Sequence, residues 1–205
     1  MSEADWVPPN DEGWIRTLSG GRFYPLAPRI EDVKITDLAH ALAVKCRYGG
    51  HCKGFYSVAQ HCCLVADDLY DTFSGGHPNY RREMALAGLL HDSDEAYSPF
   101  GDIPRPVKRQ MEKINPGFGA YIKLIGDHIR DTVYERYNLP PGEPAAVKRV
   151  DDAILWDERR AFMTGDLTLM PTSEKGLRIN ITQWSWERSE NEFLHRYFEY
   201  TTRTS

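Results

Sequence analysis

The sequence predicts an all-α protein. Apolar residues recur at intervals of three and four over most of the chain, which is the spacing that places one face of a helix against a core. Runs with the two-residue alternation of strands are rare, and clusters of glycine and proline separate the periodic segments. We therefore predict about six to seven helices in one bundle, preceded by an irregular N-terminal arm.

Composition narrows the class of protein. The chain has 205 residues, of which 41% are hydrophobic and 12% aromatic, and this favours a single domain over residues 1–205 with a substantial core. A formal net charge of −5 without a long basic run argues against nucleic acid as a partner. No stretch approaches the roughly 20 apolar residues of a membrane span. The N-terminus also lacks an apolar signal core, so we expect no membrane partner and a cytoplasmic location.

The first half of the chain holds three predicted helices. Residues 1–21 form the arm, and residues 22–30 read as a short strand or an extended wrap. Thr36 is the N-cap of a helix that ends near Tyr48, before a pair of glycines. Ser57 is a second N-cap, with Gln60 in the position of a capping box. The third helix runs from about residue 80 to residue 91.

The second half begins with a proline-rich loop over residues 98–106, which no helix can thread. A short helix is predicted from Pro106, and longer helices over residues 117–137, 145–163 and 184–200. The four cysteines crowd between residues 46 and 63 without a Cys-x-x-Cys pair, which predicts small core residues with free thiols.

Several polar residues interrupt the apolar patterns of three predicted helices. They are His61, His91 with Asp92, and Asp151 or Asp152. Two imidazoles and two carboxylates turned toward a bundle interior suit Zn, Mn, Co or Fe and leave positions for water. Taken singly, His61 also fits a half-buried or surface histidine, and His91-Asp92 a solvated helix end.

The same residues resemble a known family. The runs that carry the resemblance are FYSVAQH at 55–61, LHD at 90–92 with Glu95, GDIP at 101–104 leading to PVK at 106–108, and VKRVD at 147–151 followed by ERR at 158–160. In this order they are similar to the HD-domain phosphohydrolase superfamily and most of all to its small deoxynucleotidase-like branch. The resemblance covers roughly residues 14–163 and implies an HD-domain helical bundle.

The resemblance implies a role for each matching residue. The metal ligands are His61, His91, Asp92 and Asp151. Asp151 is preferred over Asp152 because the family's ligand stands three residues after the lysine, here Lys148. The implied ion is a divalent transition metal (Co²⁺, Mn²⁺ or Zn²⁺), with Mg²⁺ as an additional ion.

Other matching residues are implied to handle protons and phosphate. Glu95 is the expected general acid/base, and Asp102 holds the family's second acidic position. Arg47 and Tyr48 are expected beside the nucleotide, with Lys108 as a second phosphate contact.

The expected function is metal-dependent hydrolysis of deoxyribonucleotides. Compactness and the run RYGGH at 47–51 look most similar to small phage-encoded dATP triphosphohydrolases, which implies conversion of dATP to deoxyadenosine and tripolyphosphate. A 5′-deoxynucleotidase acting on monophosphates is the first alternative, and a non-catalytic nucleotide sensor is the second. The relatives are commonly homo-oligomers, and the Trp184-Ser185-Trp186 segment is a candidate interface.

Overall fold

The computed structural model describes residues 13–165 and 176–202 and confirms the all-α prediction. The helices are α1 (Ile35–Val44), α2 (Val58–Thr72), α3 (Pro78–Leu90), α4 (Ser93–Tyr97), α5 (Arg105–Ile114), α6 (Pro116–Arg136), α7 (Ala145–Phe162) and α8 (Trp186–Thr201). Within these residues, none of the helices is both long enough and apolar enough to cross a bilayer.

The described part of the predicted arm contains a short strand. Ile15–Arg16 (β1) pairs antiparallel with Arg22–Phe23 (β2), with Ile15 opposite Phe23. The prediction of an irregular arm was therefore wrong at β1, whereas β2 confirms the strand predicted in residues 22–30. Phe23 is fully buried, so this hairpin fastens the start of the described chain to a core. Residues 1–12 of the predicted arm lie outside the described residues.

Helix α1 differs from its prediction at both ends. It begins at Ile35, so Thr36 lies in the first turn, and it ends at Val44 rather than near Tyr48. The chain leaves the helix because residues 45–47 pair with the segment before α2: the Arg47 amide donates to the Tyr56 carbonyl at 2.8 Å. This pairing of main-chain groups replaces the last predicted turn and holds Arg47 beside the start of α2.

Helices in the described residues gather into two compact units, one made of residues 13–41 and 93–142 and the other of residues 42–92, 143–165 and 176–202. In the first unit, α6 packs against α4 and α5. In the second unit, α2 packs against α3, α7 and α8. The apolar core of the second unit includes Leu42, Val58, Leu69, Leu89, Ile154 and Phe193.

The Ser57 cap is confirmed, but the capping box is only half formed. Ser57 Oγ accepts from the Gln60 amide at 3.0 Å. The Gln60 side chain instead donates to the Thr182 carbonyl at 2.6 Å and accepts from the Trp184 amide at 3.2 Å. These bonds fix the segment before α8 on α2 and bury Trp184, while Trp186 of the predicted interface stays exposed.

Candidate metal centre

His61 reaches the centre from the first turn of α2. The Ser57 cap sets where this helix starts, and the apolar face of α2 carries the imidazole into the interior, where it is fully buried. Its Nδ1 lies 2.5 Å from Glu158 Oε1 of α7. A histidine held at Nδ1 presents Nε2 as its free nitrogen, which is the arrangement found around metal-binding histidines.

His91 stands just beyond the end of α3 and is held in the same way. Its Nδ1 lies 2.7 Å from the Gly88 carbonyl, which only accepts, so Nδ1 carries a proton and Nε2 is the nitrogen that faces the centre. The predicted helix was one residue too long, because α3 ends at Leu90 and a new helix begins at Ser93. The break turns His91 and Asp92 inward at the junction of two helices.

Three of the four predicted ligands, His61, His91 and Asp92, form one cluster, and Asp151 lies beside it. The Nε2 atoms of His61 and His91 are 3.2 Å apart. From His61 Nε2, Asp151 Oδ1 is at 3.4 Å and Asp92 Oδ2 at 3.5 Å. From His91 Nε2, Asp92 Oδ1 is at 3.3 Å and Asp151 Oδ1 at 4.0 Å. Ligands that each lie about 2.0–2.2 Å from one cation are about 3–3.5 Å apart, so His61, His91 and Asp92 fit a divalent ion, and Asp151 meets this spacing from His61.

Asp151 and Asp152 differ in burial and in their contacts. Asp151 is buried, and one of its oxygens faces His61 while the other accepts from Lys148 at 3.0 Å. The Asp152 side chain is 29% exposed and accepts from the same lysine at 2.9 Å. The geometry therefore favours Asp151 as the fourth ligand and gives Asp152 a share in positioning Lys148.

Arg47 is buried beside the ligands, not an ordinary surface cation. Its guanidinium lies 3.3 Å from Asp92 Oδ2 and 3.4 Å from Glu158 Oε2. Burial opposes its charge, but the Glu158 and Asp92 carboxylates outweigh this effect and raise the pKa of Arg47. A permanent positive charge next to a metal site suits the recognition of phosphate oxygens.

Glu158 is a buried residue of the candidate centre for which the sequence predicted no role. Its carboxylate is fully buried, faces His61, and accepts from the hydroxyls of Tyr48 and, at 2.8 Å, Tyr56. Burial alone raises a carboxyl pKa, yet Arg47 and His61 lower the pKa of Glu158 to about 2. The signal in the sequence was its spacing: Glu158 follows Asp151 by two helical turns and shares its face of α7.

The charged groups of the centre also shift the pKa values of the predicted ligands His61 and Asp92. Burial and Arg47 disfavour protonation of His61, but Glu158 and Asp151 raise its pKa to about 9. Burial raises the pKa of Asp92, but His91, His61 and Arg47 outweigh burial and lower this pKa below its usual value. Asp92 is therefore kept ionised, which is the state in which a carboxylate binds a cation.

Tyr48 lies beside Glu158 at a turn with an unusual backbone conformation. It adopts a left-handed backbone conformation (φ 59°), and its hydroxyl donates to Glu158. Such a conformation is rare for a bulky residue and is held here by the turn at Arg47–Gly50. The structure therefore joins Tyr48 to the support of His61, while its expected place beside a nucleotide stays a prediction.

The remaining predicted residues belong to the first compact unit. Glu95 is buried on α4, Asp102 lies half-buried in the proline-rich loop, and Lys108 is exposed on α5. The ligand cluster is in the second unit. The roles expected for Glu95, Asp102 and Lys108 stay predictions.

Fold and site together define an all-α protein with a buried histidine–aspartate centre suited to a divalent cation. No family model matches the sequence. The chain is 34% identical over 161 residues to the uncharacterized protein YfdR of Escherichia coli K12, covering 78% of this chain and 79% of that protein. It is 37% identical over 138 residues to the uncharacterized protein RCAP_rcc00048 of Rhodobacter capsulatus, covering 66% of this chain and 64% of that protein. The chain belongs to the same family as YfdR.

Proposed function

We propose that this protein is a metal-dependent phosphohydrolase of the HD-domain superfamily and that it acts on deoxyribonucleotides. The favoured reaction is hydrolysis of dATP to deoxyadenosine and tripolyphosphate. The observation that carries the proposal is the pair of Nε2 atoms of His61 and His91, which lie 3.2 Å apart among two carboxylates. Buried charged groups are costly unless they are paired or bind a metal, and one divalent cation would compensate both carboxylates while accepting both imidazole nitrogens.

The donor set suits Co²⁺, Mn²⁺ or Zn²⁺, since it mixes imidazole nitrogen with carboxylate oxygen. A divalent cation bound there activates water and polarises a phosphate oxygen. Glu158 and the Gly88 carbonyl contribute by holding the two imidazoles at Nδ1, so that both rings meet the ion in one orientation.

Arg47 is positioned to receive phosphate. Its contacts with Asp92 and Glu158 are 3.3 and 3.4 Å long, whereas well-formed charged hydrogen bonds are about 2.7–2.9 Å. Its Nε is buried without a hydrogen-bond partner among the described residues. The guanidinium therefore has donors to spare for the oxygens of a nucleotide.

The proposed reaction is an attack of water on the α-phosphorus with cleavage of its bond to O5′ of the sugar. The new bond joins the water oxygen to phosphorus, and the O5′ atom leaves with a proton. Glu95 is the proposed residue for this proton transfer, with Asp102 as the second acid and Lys108 as a further phosphate contact. Water and dATP then yield deoxyadenosine and tripolyphosphate without another reactant.

The test is incubation of the purified protein with each dNTP and each dNMP in the presence of Mn²⁺ or Co²⁺, followed by chromatography. Deoxyadenosine and tripolyphosphate from dATP support the favoured reaction. Orthophosphate from monophosphates alone would replace it with a 5′-deoxynucleotidase, and tight binding without turnover would replace it with a nucleotide sensor. A homo-oligomer is part of the proposal, and sedimentation velocity tests it separately.

A further inference from the structure

Two of the four cysteines lie together at one edge of the second unit. The Sγ atoms of Cys46 and Cys52 are 3.6 Å apart, which is van der Waals contact. Both side chains are partly exposed, whereas Cys62 and Cys63 are buried, and all four are free thiols. The expectation of core cysteines therefore fails for Cys46 and Cys52, which an oxidant in solution can reach.

Main-chain bonds hold both cysteines in place. Cys46 forms a β-bridge with Ser57, and the next amide, that of Arg47, donates to the Tyr56 carbonyl. On the other side, Cys52 Sγ lies 3.1 Å from the Gly54 carbonyl, and the following amide of residue 53 donates to the Phe162 carbonyl at 2.6 Å. The approach of the two sulfurs thus follows from the backbone.

The turn between the cysteines explains why the chain returns to the same place. Tyr48, Gly49 and Gly50 have φ values of 59°, 61° and 80°, all in the left-handed region. Three such residues in succession reverse the chain within a short segment, and the two glycines adopt this conformation without a side-chain clash. The turn carries Arg47 and Tyr48, the two residues that contact Glu158 from this side.

We propose that Cys46 and Cys52 form a reversible disulfide under a disulfide oxidant, and that this bond locks the turn carrying Arg47 and Tyr48. With oxidised glutathione, one cysteine sulfur attacks the glutathione disulfide and releases one glutathione thiol. The other cysteine then attacks the mixed disulfide and releases the second thiol. The protein loses two protons and two electrons, which the oxidant gains.

The geometry predicts what the bond does. A disulfide S–S bond is about 2.05 Å long, so the sulfurs need to close by only about 1.5 Å. Such a movement leaves Arg47 and Tyr48 where they are and removes the freedom of the turn to open. Burial and the neighbouring Cys46 thiol raise the pKa of Cys52 to about 11, so oxidation is slow near neutral pH and faster in alkaline buffer.

The experiment uses the full-length protein, reduced, then treated with oxidised glutathione at pH 8.5 and alkylated in denaturant. Trypsin cuts after Lys45, Arg47 and Lys53, so the expected product is residues 46–47 linked to residues 48–53. Its mass is about 2 Da below the sum of the two thiol peptides. Hydrogen exchange of residues 46–53 is expected to slow in the oxidised protein.

Three variants sharpen the test. Cys63→Ser should keep the linked peptide, whereas Cys46→Ser and Cys52→Ser should each lose it and retain glutathione on the remaining cysteine. The proposal is overturned if all four thiols can still be alkylated after the oxidation step, or if the disulfide found involves Cys62 or Cys63. Unchanged or faster exchange of residues 46–53 on oxidation would overturn the locking of the turn. None of these readouts depends on the proposed activity.

Discussion

His61 Nδ1 lies 2.5 Å from Glu158 Oε1, and this contact fixes which nitrogen the imidazole presents to the centre. The same carboxylate accepts from Tyr48 and Tyr56 and faces Arg47, so its position is set from several sides. A buried carboxylate behind a ligand histidine orients the ring and makes it a stronger donor. Glu158 is therefore a positioning residue for the candidate metal centre.

Replacing Glu158 by Gln tests this relationship. Glutamine keeps the size of the side chain and a hydrogen-bond acceptor but removes the charge that His61 and Arg47 face. We expect metal affinity to fall about 10- to 100-fold, measured by Co²⁺ titration followed by absorption. Glu192→Gln, which also neutralises an arginine-paired carboxylate but lies on α8, serves as the control and should bind Co²⁺ like the parent. A folded Glu158→Gln protein with unchanged affinity would contradict the positioning role.

Asp151 and Asp152 are adjacent in sequence and should differ sharply in their effect on metal binding. Asp151 is buried with an oxygen 3.4 Å from His61 Nε2, whereas Asp152 pairs with Lys148 near the surface. We expect Asp151→Asn to abolish stoichiometric metal binding and hydrolysis and Asp152→Asn to retain both. Metal content after dialysis against Mn²⁺ measures the first property. The reverse result would shift the ligand assignment by one residue.

Arg47 should matter for phosphate rather than for the metal. Its loss removes a charged donor beside the ligands, and hydrogen bonds to charged groups contribute about 1.5–3 kcal/mol, or about 10- to 100-fold in binding. We therefore expect Arg47→Gln to raise the Kd for dATP by that factor while Co²⁺ still binds. Arg149→Gln, an exposed arginine on α7, is the matched control. Equal weakening of Co²⁺ binding and nucleotide binding would instead assign Arg47 to the support of the centre.

The sequence predicted the helices well because their apolar residues repeat at a helical period and their ends carry caps, as at Ser57. It predicted the end of α1 poorly, because that end depends on main-chain pairing with residues 56–58, which lie further along the chain and outside the periodic pattern of α1. The ligands could be predicted because a histidine, a His-Asp pair and a later aspartate follow one another in an order that resembles a known family. The role of Glu158 could not be predicted, because a buried glutamate cannot be told from a surface glutamate in the sequence until its partners are known.

Gly88 lets α3 pack directly against Val65, Ala66 and Leu69 of α2. A Cβ at this position would lie 2.4 Å from Leu69 Cδ1 and 3.3 Å from Val65 Cγ1, both in the core. Overpacking of this kind costs about 1–3 kcal/mol, which exceeds the roughly 1 kcal/mol that alanine gains over glycine in a helix. We expect Gly88→Ala to lower the free energy of unfolding in urea, and Gly75→Ala, with open space around it, to leave it nearly unchanged. A stabilised Gly88→Ala protein would show that α2 and α3 can separate slightly without loss.

Arg196 joins α8 to α2 through a two-pronged ion pair. Its Nε and one terminal nitrogen donate to the two oxygens of Asp67 at 2.7 and 2.8 Å, and the other terminal nitrogen donates to Glu192 at 2.6 Å. Lysine cannot donate in this paired geometry, and Asp67 is partly exposed, so we expect Arg196→Lys to cost about 1 kcal/mol. Urea unfolding at neutral pH measures this change.

The same cluster predicts a pH dependence. The hydrogen bond from Arg196 lowers the pKa of Glu192, so the unfolded chain takes up this proton at a higher pH than the folded one. The stabilisation is therefore complete above the usual glutamate pKa of about 4.3 and is lost as pH falls through the lower pKa of the folded state. We expect Glu192→Gln to flatten this part of the acid unfolding profile, and Glu199→Gln, exposed on the same helix, to leave the profile unchanged. An identical slope in the parent and in Glu192→Gln would mean that the Arg196 contact does not favour the ionised form in solution.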